Sequence, residues 1–182
     1  MTFERCICVF STHFFFTFAL QGDPNNIYKA IHLADALRLY DVQYHDGGTA
    51  QQEAIDTYSH AIGLAIAKRN EMKERGEPTN VGLSGISDLN EEIMTDYTAR
   101  SIDGLLCAMY AALGKTYFMA NMFEKAVECY TWALEVEPYY LDAMSSRGSS
   151  RIILGQYPEA AQDFVTVMEK DTKRRFQVSR RM

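Results

Sequence analysis

Proline is scarce in this sequence, with four residues in 182. Because proline interrupts helices, its scarcity is compatible with long uninterrupted helices. Cysteine is scarce too, and the four cysteines form neither a C-x-x-C pair, nor a recognisable disulfide framework, nor a zinc ligand set. No N-x-[ST] glycosylation sequence occurs. Free thiols without glycosylation signals favour a reducing compartment, so we expect a cytoplasmic protein.

Motifs for catalysis and metal binding are also missing. The four histidines lack the helical spacing of a metal site, and no H-E-x-x-H occurs. Residues 114–116 (GKT) resemble the end of a phosphate-binding loop, but Met109 stands where that loop requires glycine. Cys107 and Cys129 fall at helix packing positions, which favours buried thiols over nucleophiles. We therefore expect no enzymatic activity, no cofactor and no metal.

Positive charge is lacking over most of the chain. The net charge is −6, and residues 172–182 contribute +5, so the remaining chain carries −11. Such a field argues against general nucleic-acid binding, except through the basic end. The five cations of that end are Lys173, Arg174, Arg175, Arg180 and Arg181. This basic C-terminal tail, residues 172–182, is interpreted as a solvated helix end, with docking on an acidic partner or RNA and disorder as alternatives.

The N-terminus has a run of apolar residues, but a short one. Residues 6–20 include five phenylalanines, and fifteen residues are too few to span a bilayer comfortably as a helix. Glu4 cancels Arg5, and no A-x-A-like cleavage site precedes Gln21, which argues against a signal peptide. We predict that residues 1–22 form an apolar segment that packs against the domain or caps it as a helix. A targeting or anchoring role and an artefact of gene prediction are the alternatives, and we do not expect a membrane to be the main partner.

The C-terminal part of the sequence contains a repeat at a shift of 34 residues. The matching pairs are Gly114 with Gly148, Phe123 with Tyr157, Ala126 with Ala160, Tyr130 with Phe164, and Ala133 with Val167. A repeat of 34 residues is typical of tetratricopeptide repeats. The residue types follow that family's pattern at Tyr110, Leu113, Gly114, Tyr117, Ala126, Tyr130 and Pro138. Residues 107–140 thus resemble a tetratricopeptide repeat closely. Residues 141–171 resemble it less, because Arg147, Arg151 and Thr172 replace the leucine, tyrosine and proline.

A third, degenerate copy lies nearer the N-terminus. Ala54, Tyr58 and Ala61 repeat the spacing of the second helix, which predicts a helix over about 50–75. Its partner is predicted over 24–43, with Asp23 as N-cap and Pro24 at the first helical position. Residues 44–49 form the predicted loop, about eight residues longer than the family norm.

The resemblance implies an all-α fold, an array of about three antiparallel helical hairpins. The helical domain is predicted over 23–171, with hairpins at about 24–75, 89–140 and 141–171 and a long insertion between the first two. Residues 76–86 are rich in glycine and predict a break. Asp88 and Glu91 then resemble a helix start, from which a helical stretch reaches about Ala120 with an interruption near 101–104.

In tetratricopeptide proteins the first helix of each hairpin lines a concave groove, and the resemblance implies the same here. The implied groove residues are mostly small or apolar: Ala108, Ala111, Ala112, Lys115, Phe118, Met119, Asp142, Ser145, Ser146, Ser149, Ile152 and Ile153. Such a lining suits an apolar helical or extended segment of another protein. The alternative occupant is the chain's own insertion or N-terminus.

The predicted function is that of a protein-interaction adaptor or scaffold. One alternative is a structural subunit of a large assembly, including a ribonucleoprotein, docked through the basic tail. A second is a co-chaperone that grips the carboxylate end of a heat-shock protein. The sequence departs from that family clamp, because Asp142 and Ser146 stand where lysine and arginine are expected.

Overall fold

The computed structural model describes residues 23–44, 49–80 and 101–179. Within these ranges it describes every side chain except those of residues 41–44 and 171–179. Within these ranges the chain contains six α-helices and no strand. The helices are α1 (Ile27–Tyr44), α2 (Thr49–Glu74), α3 (Ile102–Met119), α4 (Phe123–Val136), α5 (Leu141–Ile153) and α6 (Tyr157–Ser179). Consecutive helices pack as the pairs α1–α2, α3–α4 and α5–α6. The predicted all-α array of three hairpins is confirmed.

Two glycines mark the crossings of the second and third hairpins. A Cβ atom placed on Gly114 would lie 2.8 Å from Cε1 of Tyr130, and one on Gly148 would lie 2.9 Å from Cζ of Phe164. Both distances are below van der Waals contact, so a larger residue would displace the facing ring. The 34-residue shift predicted from the sequence is therefore also a shift between two equivalent packing arrangements.

The same shift relates the ends of the first helices. Asn121 and Gly155, one shift apart, both have positive φ angles, of 58° and 75°, and Gly76 after α2 has 68°. This left-handed conformation allows a hydrogen bond from an amide to the carbonyl five residues earlier. The three bonds each measure 2.9 Å and join Glu77 to Met72, Met122 to Tyr117, and Gln156 to Arg151. Helices α2, α3 and α5 thus end in the same kind of turn.

The core runs continuously from one hairpin to the next. One cluster joins buried residues of α1 and α2, such as Ile31 and Tyr58, to Leu105 and Met109 of α3. A second cluster joins α4 to α5. Burial of each large side chain stabilises the fold by about 1.5–3 kcal/mol. The first hairpin therefore packs directly on the second, although a long insertion separates them in sequence.

The insertion leaves and re-enters the array at one place. Thr79 precedes it and Asp103 follows it, and the Thr79 hydroxyl donates to Oδ2 of Asp103 at 2.7 Å. The Asp103 amide also donates to the Thr79 carbonyl at 3.4 Å. Arg69 of α2 lies against the same carboxylate, with its Nε 2.5 Å from Oδ1, as a charge contact and not an aligned hydrogen bond. The segment between these anchors starts and finishes beside the α2–α3 contact.

One predicted helix start requires correction, and a predicted interruption is located. Helix α1 begins at Ile27, and its cap is Asn26, whose Oδ1 accepts from the Lys29 amide at 3.1 Å, so the predicted cap at Asp23 is wrong. Asn26 is as good a cap as aspartate, and residues 23–26 form a turn before it. Helix α3 begins at Ile102, where Ser101 Oγ accepts from the Gly104 amide at 3.2 Å. The interruption predicted near 101–104 is thus the start of the described helix.

Several predictions lie outside the described residues. These are the N-terminal segment 1–22, the loop residues 45–48, and the helix start at Asp88 and Glu91. Arg180 and Arg181 lie outside as well. Lys173 to Arg175, by contrast, lie on helix α6. Helix α6 has 23 residues against 14 in α4, although the two helices start one repeat apart. The difference arises because α4 stops before Pro138, whereas Thr172 at the equivalent position lets α6 continue.

Candidate partner-binding site

The first helices of the three hairpins lie on the inner side of the array. Helix α1 approaches α3, and α3 approaches α5, whereas no comparably close approach joins α2 to α4 or α4 to α6 among the described helices. We call the side of the array that is formed by these first helices, α1, α3 and α5, the inner surface.

Helix α5 contributes six of the predicted groove residues, and they remain at least partly accessible. Asp142 is exposed, and Ser145 and Ser149 are half-buried. Ile152 and Ile153 are 46% and 51% exposed, a large fraction for isoleucine. The Ser149 hydroxyl donates to the Ser145 carbonyl at 3.0 Å, so this donor is already used within the helix. The surface of α5 thus offers small side chains next to an exposed apolar end.

Helix α3 contributes the other predicted residues, with more varied exposure. Lys115 is exposed, and Ala112 and Met119 are half-buried. Phe118 is half-buried against the α4–α5 cluster and meets the ring of Phe123 edge-on, with centroids 5.3 Å apart. Ala108 is buried in the cluster shared with α1 and α2, so its methyl group has almost no surface for a partner. The degenerate first hairpin covers Ala108. The prediction of a groove position was made from the repeat pattern of α3 alone, which contains no information about this neighbouring hairpin.

Ala111 and Ser146, the remaining residues of the inner surface, are both half-buried. Ala111 is packed against the α4–α5 cluster. Ser146 interacts with Tyr130, whose pKa burial raises to about 12. Because a serine hydroxyl carries no charge, Ser146 is a poor substitute for the arginine of a carboxylate clamp. Asp142 on the same helix would repel a bound carboxylate.

A buried ionic cluster lies between α5 and α6, and the sequence interpretation missed its acidic member. Asp163 accepts from Arg147 Nε and Nη2 at 3.1 and 2.7 Å, and from Arg151 Nη1 at 2.7 Å. Arg147 Nη1 also donates to Thr131 Oγ1 at 3.3 Å, which ties α5 to α4. Arg147 and Arg151 stand at repeat positions that are usually apolar and buried. They could have indicated a buried acidic partner, because buried cations require a buried anion.

The described thiols are poor candidates for chemistry. Cys107 and Cys129 are both free and buried. Burial, with a smaller contribution from the Glu128 carboxylate, raises the pKa of Cys129 to about 12. The reactive thiolate is therefore scarce at neutral pH. No group of three or more histidine, cysteine or acidic residues within the described ranges is arranged to hold a metal ion.

None of the helices in the described part of the chain combines the length and the apolar character needed to cross a membrane.

Comparisons with known proteins give only distant likenesses. No protein-family profile matches the chain, and no curated protein matches it. A solved structure described as the crystal structure of MamA has 21% identity over 87% of this chain and 86% of that one, with a TM-score of 0.37. MamA 41-end from Desulfovibrio magneticus RS-1 has 14% identity over 93% and 91%, with a TM-score of 0.36. At these scores the likeness identifies no family. The array is described by its own geometry: two helical hairpins repeated at 34 residues and a third packed against them.

Proposed function

We propose that this protein is an interaction adaptor or scaffold that holds a segment of another protein against its inner surface. The observation that carries the proposal is the pair of exposed isoleucines, Ile152 and Ile153, at the end of an inner helix. Helix α3 contacts α5 and carries half-buried Phe118 and Met119 at its own C-terminal end, one repeat before these isoleucines. Exposed apolar side chains beside small residues favour an apolar helical or extended segment as the ligand.

The energy available at this surface is sufficient for specific but reversible binding. Covering one large aliphatic side chain contributes about 1.5–3 kcal/mol, and Ile152 and Ile153 are each about half exposed. Half-exposed Phe118 and Met119 add a smaller area. The cost of association consumes much of this energy, so affinities in the micromolar range are expected.

The proposal includes a non-enzymatic role in the cytoplasm. The raised pKa of Cys129 removes one candidate nucleophile, and buried free thiols are compatible with a reducing compartment. A co-chaperone clamp is disfavoured by the exposed carboxylate of Asp142. A structural subunit docked through its basic end is the second candidate, favoured by the extension of α6 through Lys173, Arg174 and Arg175.

Affinity capture with two matched variants tests the adaptor proposal. Ile153→Asp places a charge on the inner surface, whereas Ile66→Asp places the same charge at an exposed isoleucine of α2, a second helix. We expect Ile153→Asp to lose the captured partner and Ile66→Asp to retain it, with the circular dichroism of both unchanged. Equal capture by both variants would contradict binding at the inner surface. If Ile153→Asp unfolds and Ile66→Asp does not, the inner surface instead packs against another part of the same chain.

A further inference from the structure

The last hairpin exposes apolar residues at positions that the preceding hairpin uses for packing. Leu134 of α4 is 8% exposed and belongs to the cluster with Ala143 and Met144 of α5. One repeat later stands Met168, which is 68% exposed. The same kind of position is thus covered by a helix in one hairpin and open to solvent in the next.

Two further pairs show the same contrast. Thr131 of α4 contacts Arg147 of α5 through its hydroxyl, and its equivalent, Val165, is 48% exposed. Phe118 is packed against the α4–α5 cluster, and its equivalent, Ile152, is exposed. We call the surface of Ile152, Val165 and Met168 the terminal face. Its residues occupy the positions that receive α5 in the second hairpin, so its shape is that of a seat for one helix.

The chemistry of the terminal face differs from that of the seat for α5. The hydroxyl of Thr131, which pairs with an arginine, is replaced by the isopropyl group of Val165. A helix on this face would therefore carry an apolar residue where α5 carries Arg147, because an unpaired buried cation is costly.

Two acidic residues, Glu169 and Asp171, separate Met168 from a run of positive charge further along α6. Lys170 lies over the ring of Tyr139, with its Nζ 4.0 Å from the centroid, and Lys173, Arg174 and Arg175 follow on the same helix. No acidic residue occurs between 172 and 182. A helix bound beside these cations gains attraction if it is acidic and repulsion if it is basic.

We propose that the terminal face, together with the basic end of α6, binds an acidic amphipathic helix of a partner protein. This surface shares Ile152 with the inner surface of the proposed adaptor function but extends from there onto α6, and its ligand would extend the array as a further helix. The apolar stripe of the ligand covers Val165 and Met168, and its acidic residues complement the positive charge that the sequence carries over 172–182. Binding to this face weakens with salt, because the charged part of the contact is screened.

A synthetic peptide tests this assignment with the full chain. The peptide is a helix of about 18 residues, long enough to form in solution. It carries alanine, methionine and leucine at the spacing of Ala143, Met144 and Arg147, and glutamates on the flanks of this apolar stripe. The controls are a scrambled peptide and one with glutamine in place of every glutamate. Binding is measured by fluorescence anisotropy at two salt concentrations.

We expect Val165→Asp to weaken peptide binding by about tenfold or more, equivalent to about 1.4 kcal/mol. Leu39→Asp, at an exposed leucine of α1, is expected to leave binding within about twofold of wild type, as is Ile153→Asp. Replacement of Lys173, Arg174 and Arg175 by glutamate should weaken the acidic peptide and spare the glutamine peptide. Because Ile153→Asp tests the inner surface, failure of the adaptor proposal and failure of this one are distinguishable.

Four results would overturn the proposal. The first is equal binding of the scrambled peptide, or binding unaffected by Val165→Asp. The second is a dimer in sedimentation that Val165→Asp dissociates, which assigns the face to a second copy. The third is a rise of about tenfold in affinity after deletion of residues 1–22, which assigns it to the chain's own N-terminus. The fourth is displacement of the peptide by an RNA oligonucleotide that binds Val165→Asp as well as wild type.

Discussion

Three helical glycines of this chain differ in what surrounds them. Gly114 and Gly148 each face an aromatic ring at a distance that leaves no room for a methyl group, whereas Gly63 of α2 has no atom within 4 Å of a built Cβ. Alanine is favoured over glycine in a helix by about 1 kcal/mol, so the sign of a substitution depends on space alone. The same change thus has opposite effects at different positions.

Gly148→Ala is expected to destabilise the protein by about 1 kcal/mol. Overpacking costs about 1–3 kcal/mol, because Phe164 must move, and the intrinsic helix preference offsets about 1 kcal/mol of that cost. Gly63→Ala is the matched control and should stabilise by about 0.5–1 kcal/mol. Urea denaturation of both variants measures the difference. A stabilised Gly148→Ala would show that the Phe164 ring yields without cost.

Residue identity was predictable from the sequence where a repeat rule applies. The crossing glycines and their rings were found because small and aromatic residues recur at a shift of 34. The role of Asp163 was not predicted, because the repeat pattern describes apolar packing. Here an arginine–aspartate ion pair occupies positions that are apolar in the preceding hairpin. The cap at Asn26 was missed since Asp23 and Asn26 have almost equal capping preference. Only the path of the chain decides between them.

At the scale of helices, the α5–α6 pair replaces an apolar contact with an ionic one. Leu113, Tyr117 and Cys129 of the second hairpin correspond to Arg147, Arg151 and Asp163 of the third. The charged set is not fully paired, since the buried Nε of Arg151 has no hydrogen-bond partner in the described structure. Specific geometry therefore holds these helices together, with no clear advantage in stability over the apolar set.

Asp163→Ala is expected to destabilise the chain by about 3 kcal/mol, because two arginines lose their buried anion. The triple change Arg147→Leu, Arg151→Tyr and Asp163→Cys, which copies the second hairpin, should stay within about 1 kcal/mol of wild type. Thermal and urea unfolding measure both variants. If Asp163→Ala melts at the wild-type temperature, the ionic cluster contributes nothing to stability. An unfolded triple variant would show that the two hairpins are not interchangeable.

Element boundaries were less predictable than element identity. The hairpins that contain α4 and α6 were located from paired motifs, and the buried Ala54, Tyr58 and Ala61 located the second helix of the degenerate first hairpin. The extension of α6 to Ser179 depends on the absence of a stop signal, since Thr172 permits either continuation or an end. The exposure of the terminal face could not be predicted, because it depends on what packs there, not on its own sequence.

At the scale of the whole molecule, the order of the hairpins determines how far a destabilising substitution affects the rest of the array. Among the described hairpins, the middle one packs against both neighbours, whereas the last packs against the middle one alone. In such arrays stability is close to a sum of repeat and nearest-neighbour terms. A defect in the middle should therefore uncouple the array, and a defect at the end should remain local.

Ala126→Trp and Ala160→Trp make this comparison at equivalent, fully buried positions of α4 and α6. Each tryptophan overpacks a close helix crossing. We expect Ala160→Trp to increase amide exchange in α5 and α6 alone, and Ala126→Trp to increase it across the described helices. Hydrogen exchange with mass spectrometry resolves the two patterns. A uniform increase in both variants would show that the array unfolds as one cooperative unit.

The closed anchor at Thr79 and Asp103 bears on how this gene can change. Two residues that share hydrogen bonds bracket the insertion, so its length is decoupled from the geometry of the hairpins. Doubling a closed loop costs only about 0.6 kcal/mol in chain entropy. Exon gain, tandem duplication or transplantation of a whole domain at this site would thus meet little thermodynamic resistance. The α2–α3 junction is therefore a site at which the protein can accept inserted sequence or an additional domain with little loss of stability.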